Sequence, residues 1–265
     1  MEQSLKELIL MRFFMRKLYL FAILNVSCVF LGSGISFAQD QLDPNTIVKN
    51  ADEVRNPEID YTVNAVVKSF KPDRPTRRCV YKILIKGRDN AVVKTLEPQS
   101  EYGRSLLIKA KDYWAFYPEV EKPIRISLQE KLIGDVSNGD IARTNFTNDY
   151  NASLLRNEDV NGKHYYVLQL MAKDNSTTYG KVILWVEQDN FWPLKAEFYA
   201  ISGRFLKTCF YENYTTLGGA IRPSRLVLED AVTQGQYSQI DYDTMNVAAL
   251  PDKYFSKEYM KKFSN

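Results

Sequence analysis

The chain has 265 residues, 45% of them apolar and 25% charged, with a formal net charge of +3 and 13% aromatics. This composition excludes a disordered or fibrous polymer and supplies a sizeable core, in one large domain or two small ones. The charge is too small, and Lys and Arg too scattered, for a nucleic-acid footprint.

Arg12, Arg16 and Lys17 precede the apolar stretch LYLFAILNVSCVFLGSGISFA, which ends in small residues. A basic region, an apolar region and a small-x-small site at Ser36-Phe37-Ala38 form the pattern of a cleavable secretory leader. Residues 1–38 are therefore assigned to a signal peptide, and residues 39–265 to the exported domain, expected in the periplasm. Glu2 and Glu7 are out of place in a leader; a start at Met11 or Met15 rather than Met1 leaves a cleaner one. Two other readings stay open. The stretch is almost long enough for a retained anchor, although Asn25, Ser27, Gly32, Ser33, Gly34 and Ser36 dilute it. Lipid modification at Cys28 would require an aliphatic residue where Asn25 stands. The remaining chain carries +1, from 31 basic and 30 acidic residues, and no later segment is long and apolar enough to span a membrane. Export permits a Cys79–Cys209 disulfide, but two buried, inert thiols are the plainer expectation.

In LDPNTIVKNADEVRN, Asp43 caps and Pro44 opens a helix whose Ile47, Val48, Ala51 and Val54 share a face. From Tyr61 the period falls to two. DYTVNAVVKSF, CVYKILIKG, AVVKTLEP, RSLLIKA and YWAFYP read as consecutive strands, and the aromatic excess favours them. Leu128 to Leu155 breaks the rhythm: Leu128, Leu132 and Ile133 have near-helical spacing, and Asp140 is placed to cap a helix carrying Ile141 and Phe146. Two short helices, or a helix and a loop, are expected there. Strands resume at KHYYVLQLMAK, YGKVILWVEQ, LKAEFYAIS, FLKTCFYENYT, AIRPSRLVLED and GQYSQIDYDTM, joined by hairpin-length turns. Val182, Leu184 and Val186 share one face of their strand and Ile183 and Trp185 the other, so both faces must be covered or one must border a cavity. SKEYMKKF closes the chain as an amphipathic segment. No repeat or interdomain linker interrupts this order, and it reads as one domain.

Chemistry-bearing patterns are sparse. His164, at a strand start, lacks the nucleophile and orienting acid of a triad, and there is no G-x-S-x-G elbow. Cys79, Cys209 and His164 lack metal-ligand spacing, so no metal or cofactor is expected. Glu119, Glu121 and Asp135 form no evident catalytic pair, and LGGAIRP lacks a phosphate-loop lysine. Pro223 favours an edge or strand-start position. Its neighbour Arg222 reads as a solvent-facing strand residue, with a rim charge that orders the helices as the alternative.

The leading helix, the antiparallel meander, the helical insertion and the strand K-D-x-W-x-F-x-P (Lys111, Trp114, Phe116, Pro118) together resemble the LolA-like outer-membrane lipoprotein-sorting family. LWVEQDNFWPLKAEFYAISGRFLKTCFYENYTTLGGAIRPSRLVLED and LPDKYFSKEYM resemble an uncharacterised branch of it. The resemblance spans Pro44 to Phe263. It implies a mainly β, α+β fold: a single antiparallel, unclosed β-barrel, or half-barrel, with short helices covering its concave face. It further implies a monomeric carrier of lipoprotein acyl chains or other lipid, loaded by an inner-membrane exporter and unloaded to an outer-membrane acceptor. Gly134, Asn138 and Gly139 weaken helix and suit a marginally stable lid. Trp114 and Phe116 are expected to line the concave cavity, with Leu128, Leu132, Ile133 and Ile141 above it; the other reading is a closed, filled core. The family's lid-ordering arginine lies in an R-P context that KILIKGRDN lacks, so that role is not carried onto Lys86 or Arg88; Lys86, Arg88 and Arg222 are named as rim or lid-ordering charges. Two alternatives to a carrier remain: a non-catalytic envelope interaction module, and a hydrolase acting on envelope lipid or glycan.

Overall fold

Asp43 caps the first helix. Its carboxylate accepts from the Thr46 amide at 3.0 Å and Pro44 presets the first turn, so α1 runs Pro44–Arg55, with Ile47, Val48 and Ala51 buried beneath it. The computed structural model describes residues 42–110, 112–120, 122–142 and 145–262; the assigned leader, Cys28, Lys111 and Glu121 lie outside the described residues.

The meander follows as β1 (Tyr61–Phe70), β2 (Arg77–Lys86), β3 (Asn90–Glu97), β4 (Ser105–Lys109), β5 (Asp112–Phe116) and β6 (Ile124–Arg125). An inserted segment forms a small hairpin, β7 (Lys131–Ile133) and β8 (Val136–Ser137), then α2 (Asn138–Ala142) and α3 (Phe146–Asp149). Strands resume with β9 (Tyr150–Val160), β10 (Lys163–Ala172), β11 (Lys181–Glu187), β12 (Pro193–Tyr199), β13 (Phe205–Leu217), β14 (Ala220–Asp230) and β15 (Tyr237–Val247). Helix α4 (Lys257–Lys262) closes the described chain.

Apart from β7 and β8, these strands form one antiparallel sheet in the order β6-β5-β4-β3-β2-β1-β15-β14-β13-β12-β11-β10-β9. Every pairing but one joins sequence neighbours, which short turns can serve. The exception is β1 with β15, where Tyr61 stands opposite Val247 and Phe70 opposite Tyr237. That pair fuses the two meanders, and β6 and β9 remain edges, so the barrel is not closed. Pro223 lies where β14 pairs with β13 alone, since pairing of β14 with β15 begins at Arg225. Its missing N–H is therefore harmless there.

Register assigns the faces. Tyr113, Ile108, Ala91, Ile85 and Tyr61 stand side by side across five strands, and Ala115, Leu106, Val93, Ile83 and Val63 form the next such row. Most of these residues belong to the same apolar core as Val182, Leu184 and Phe198 of the far half, so one face of the sheet curls around a shared interior. Trp114 stands instead beside Leu107, Val92 and Leu84. With Phe116 it packs under Leu250, Phe255 and Met260 of the C-terminal segment, and the Lys257 ammonium lies 3.2 Å from its ring centroid. The expectation that Trp114 and Phe116 line the concave face is thus corrected. The alternation holds, but the C-terminal segment provides a second apolar layer on the reverse face, which strand periodicity cannot reveal. The same two-sidedness recurs in β11, where Ile183 and Trp185 join Tyr165 and Val167 in an outer cluster.

Two further readings change, and the expectation of two buried thiols holds. Leu128 to Ile133 is not helical; Gly134, at φ +55, turns β7 back into β8. Strand β9 falls in a stretch expected to be insertion, because it is a mostly exposed edge whose polar residues give little apolar alternation. Cys79 and Cys209 are both free and buried, on β2 and β13, with β1, β15 and β14 between them.

Phe255→Ala is expected to lower unfolding stability by about 3 kcal/mol in urea titration, the usual loss for a buried phenylalanine. Exchange of lid amides at residues 128–149 should stay unchanged, because this side chain serves the outer layer.

Candidate functional site

The inserted segment covers the concave face, and its sequence explains how it is held. Leu128, Ile133, Val136, Ile141 and Phe146 are buried in the main core, with Leu132 half-buried at its margin. At the β7–β8 turn, a Cβ on Gly134 would come within 2.2 Å of Ser69 Oγ and 2.5 Å of Ser238 Oγ. Only glycine lets the turn sit this close to β1 and β15.

Three polar anchors fasten the segment. At the first, the Asp135 amide donates to Ser238 Oγ at 3.0 Å, and its carboxylate accepts from Gln236 Nε2 at 2.7 Å.

The second centres on Asp140. Its carboxylate reaches back to accept from the Ser137 N–H and Oγ, each at 2.8 Å, which is the acidic half of a capping box for α2. It also accepts from Tyr179 OH at 2.6 Å and pairs with Lys207, whose ammonium donates to Asp135 O at 2.6 Å. Burial, reinforced by the neighbouring Asp140 charge, pushes the Tyr179 phenol well above its ordinary value, so it stays a donor.

The third joins the segment to α1. Asp52, fully buried, accepts from the Thr147 amide at 2.8 Å and from Thr147 Oγ1 at 2.6 Å. Arg88, in the β2–β3 turn, donates to Asp52, Glu53 and Glu58 and to Thr147 Oγ1 at 3.3 Å. Arg55 pairs with Asp52 and stacks its guanidinium 3.8 Å from the Phe146 ring centroid. Arg88, together with Arg55, therefore ties α1 to α3.

Lys86 is placed elsewhere: its ammonium donates to Leu250 O at 2.8 Å and pairs with Asp252, fastening the C-terminal segment. Arg222, read as solvent-facing, is buried and donates to Glu53 O, Val54 O and Leu217 O. It satisfies the last carbonyls of α1, where a cation also complements the helix dipole. Asp52, Thr147 and Lys207 escape sequence reasoning, because the partners that fix them lie 36 to 95 positions away; Asp140 is read there as a helix cap but not as the partner of Lys207.

Between the end of α1, α2 and the sheet lies a chamber of about 70 Å³, walled by Tyr61, Ile83, Ile85, Ile141, Tyr211, Leu226 and Tyr242, with Arg55, Asp140 and Arg222 at its polar side. Ile141 and Arg222 are the sequence-named residues that border it. Among the described residues no group of His, Cys, Asp and Glu could hold a metal, and no helix is long and apolar enough to cross a membrane.

The class defined by this geometry is an open antiparallel half-barrel closed by a short, polar-anchored insert. A family model described as an uncharacterized protein matches residues 87–262. The LolA superfamily protein NE2245 from Nitrosomonas europaea is 47% identical over 82% of this chain and 99% of its own, with a TM-score of 0.79. A putative outer membrane lipoprotein-sorting protein domain from Vibrio parahaemolyticus shares the fold at 20% identity (82% and 98% covered, TM-score 0.71). So does a DUF1329 family protein from Desulfovibrio piger at 22% identity (82% and 99% covered, TM-score 0.72). No curated protein matches the sequence. The chain belongs to the LolA superfamily.

Burial raises the pKa of both Cys79 and Cys209, so their thiols resist alkylation while the lid is closed. Arg88→Ala should weaken closure by about 2 kcal/mol, raising the open population about thirtyfold. Alkylation of the two thiols, followed by mass spectrometry at pH 8, is expected to accelerate in proportion.

Proposed function

We propose that this chain is a periplasmic, non-catalytic carrier that takes acyl chains of lipoproteins or related lipids onto its concave face and passes them toward the outer membrane. An inner-membrane exporter would load it and an outer-membrane acceptor would unload it, with the carrier working as a monomer. The observation that carries this reading is the short cover: an apolar inner face under a segment fastened at three polar points. Membership of the superfamily, and the lipoprotein-sorting description of a structural relative, support the cargo class.

The energetics suit reversible loading. The closed chamber, about 70 Å³, is far below the roughly 300–1,000 Å³ of typical ligand pockets. Loading an acyl chain at that chamber would therefore displace the lid. Burying five lid side chains such as Leu128, Ile133, Val136, Ile141 and Phe146 is worth roughly 7–15 kcal/mol. Withdrawing an acyl chain of about sixteen carbons from water is worth about 12 kcal/mol. The two terms are comparable, so exchange of lid for cargo is close to balanced and a small bias at either membrane can set its direction.

The small closed chamber also fits the second reading, an envelope interaction module with a permanently filled core. One measurement separates them. The chain from Gln39 to Asn265, purified from a periplasm without detergent, is expected to show in native mass spectra a bound mass that is lost on denaturation and extracts as lipid or lipopeptide. A bare chain that also refuses added acyl ligands would leave the interaction module standing.

A further inference from the structure

The turns 200–204 and 231–236 lie at one end of the half-barrel, and each carries an apolar tip. Ile201 is 58% exposed and Val232 is 82% exposed. Hairpin tips are ordinarily polar or glycine-rich, and neither side chain packs on the core, so folding does not explain them. Phe205, at the start of β13, is also exposed. These three residues border a groove of about 540 Å³ that they share with Arg204 and Lys131. The volume falls within the range of small-molecule sites.

The charges around the groove favour an anion. Asp230 is committed to its own turn, accepting from the Val232 and Thr233 amides at 3.0 and 2.7 Å. Asp135 is engaged by Gln236 and pairs with the exposed Lys131 at 3.7 Å. Among the described residues, no carboxylate pairs with the exposed Arg204 guanidinium. The neighbouring 71–76 turn, whose Pro72 lies beside Gly235, adds Lys71 and Arg74 against Asp73.

We propose that this end of the molecule docks on an anionic phospholipid bilayer, with Ile201 and Val232 entering the interface and a headgroup phosphate held in the groove by Arg204 and Lys131. Apolar tips flanked by cations are what interfacial binding requires: the tips gain from burial and the cations from the negative surface potential. The docking surface adjoins the lid at Asp135 and Ser137, and its argument does not use what the concave face carries. Lys207 forms part of the groove and also pairs with Asp140, so docking would bring one lid anchor to the membrane.

The test is co-sedimentation of the Gln39–Asn265 chain with vesicles of phosphatidylcholine alone, or with about 30% phosphatidylglycerol, at two salt concentrations. Preferential, salt-sensitive binding to the anionic vesicles is expected. Arg204→Glu should weaken it about twenty-five-fold, taking about fivefold for each unit of charge. The paired change Ile201→Ser with Val232→Ser should weaken it at least about tenfold. All these positions are exposed, and unchanged thermal unfolding would verify the fold. Equal binding to neutral and anionic vesicles would overturn the proposal. So would tip variants that bind like the parent, because the contact would then lie elsewhere, the concave face included. Saturable binding of inorganic phosphate without vesicle binding would also overturn it, reducing the groove to a small-anion site.

Discussion

An open sheet with an apolar inner face must cover that face, and the rest of this molecule is arranged around how it does so. The cover is a short segment between the two meanders, and it could not stay in place by helix propensity. Its helices α2 and α3 are five and four residues long, well below the length at which an isolated helix is stable. Tertiary contacts hold it instead: a glycine turn seated on two serines, a buried Lys207–Asp140 pair, and the Arg88–Asp52–Thr147 hub. A buried ion pair contributes little net stability compared with an apolar pair, but breaking it is costly. Such anchors therefore define one closed position without making the closed state deep.

Arg88 holds the third anchor of the cover. The position lacks a following proline, yet its guanidinium reaches three carboxylates and the lid threonine together. The fork of an arginine suits this better than the single ammonium of Lys86, which serves the C-terminal segment instead. Arg222 complements it from the far half of the sheet by capping the end of α1. Helix α1 is thus held at its C-terminal end from both meanders, which keeps Asp52 in position for the lid.

Much of the fold is legible in the sequence because it is local. Asp43-Pro44 marks the start of α1, period-two alternation marks most of the meander, and antiparallel neighbours need only short turns. What is illegible is whatever depends on distant partners. Trp114 and Phe116 alternate as expected, but which face is concave depends on Phe255 and Met260, more than a hundred positions later. Strand β9 is hidden because an exposed edge carries little apolar pattern. The lid residues Leu128, Ile133 and Ile141 are recognisable as apolar breaks in the strand rhythm, whereas Asp52 and Lys207 look like ordinary surface charges until the fold buries them.

The central claim is that the lid and an acyl chain compete for the same apolar face. Amide hydrogen exchange of residues 128–149, with and without a saturating long-chain acyl ligand, tests it most directly. The account predicts faster exchange across the lid when ligand is bound, with β10, β11 and β12 still protected. Ligand binding that leaves lid exchange unchanged, or slows it, would contradict displacement of the lid.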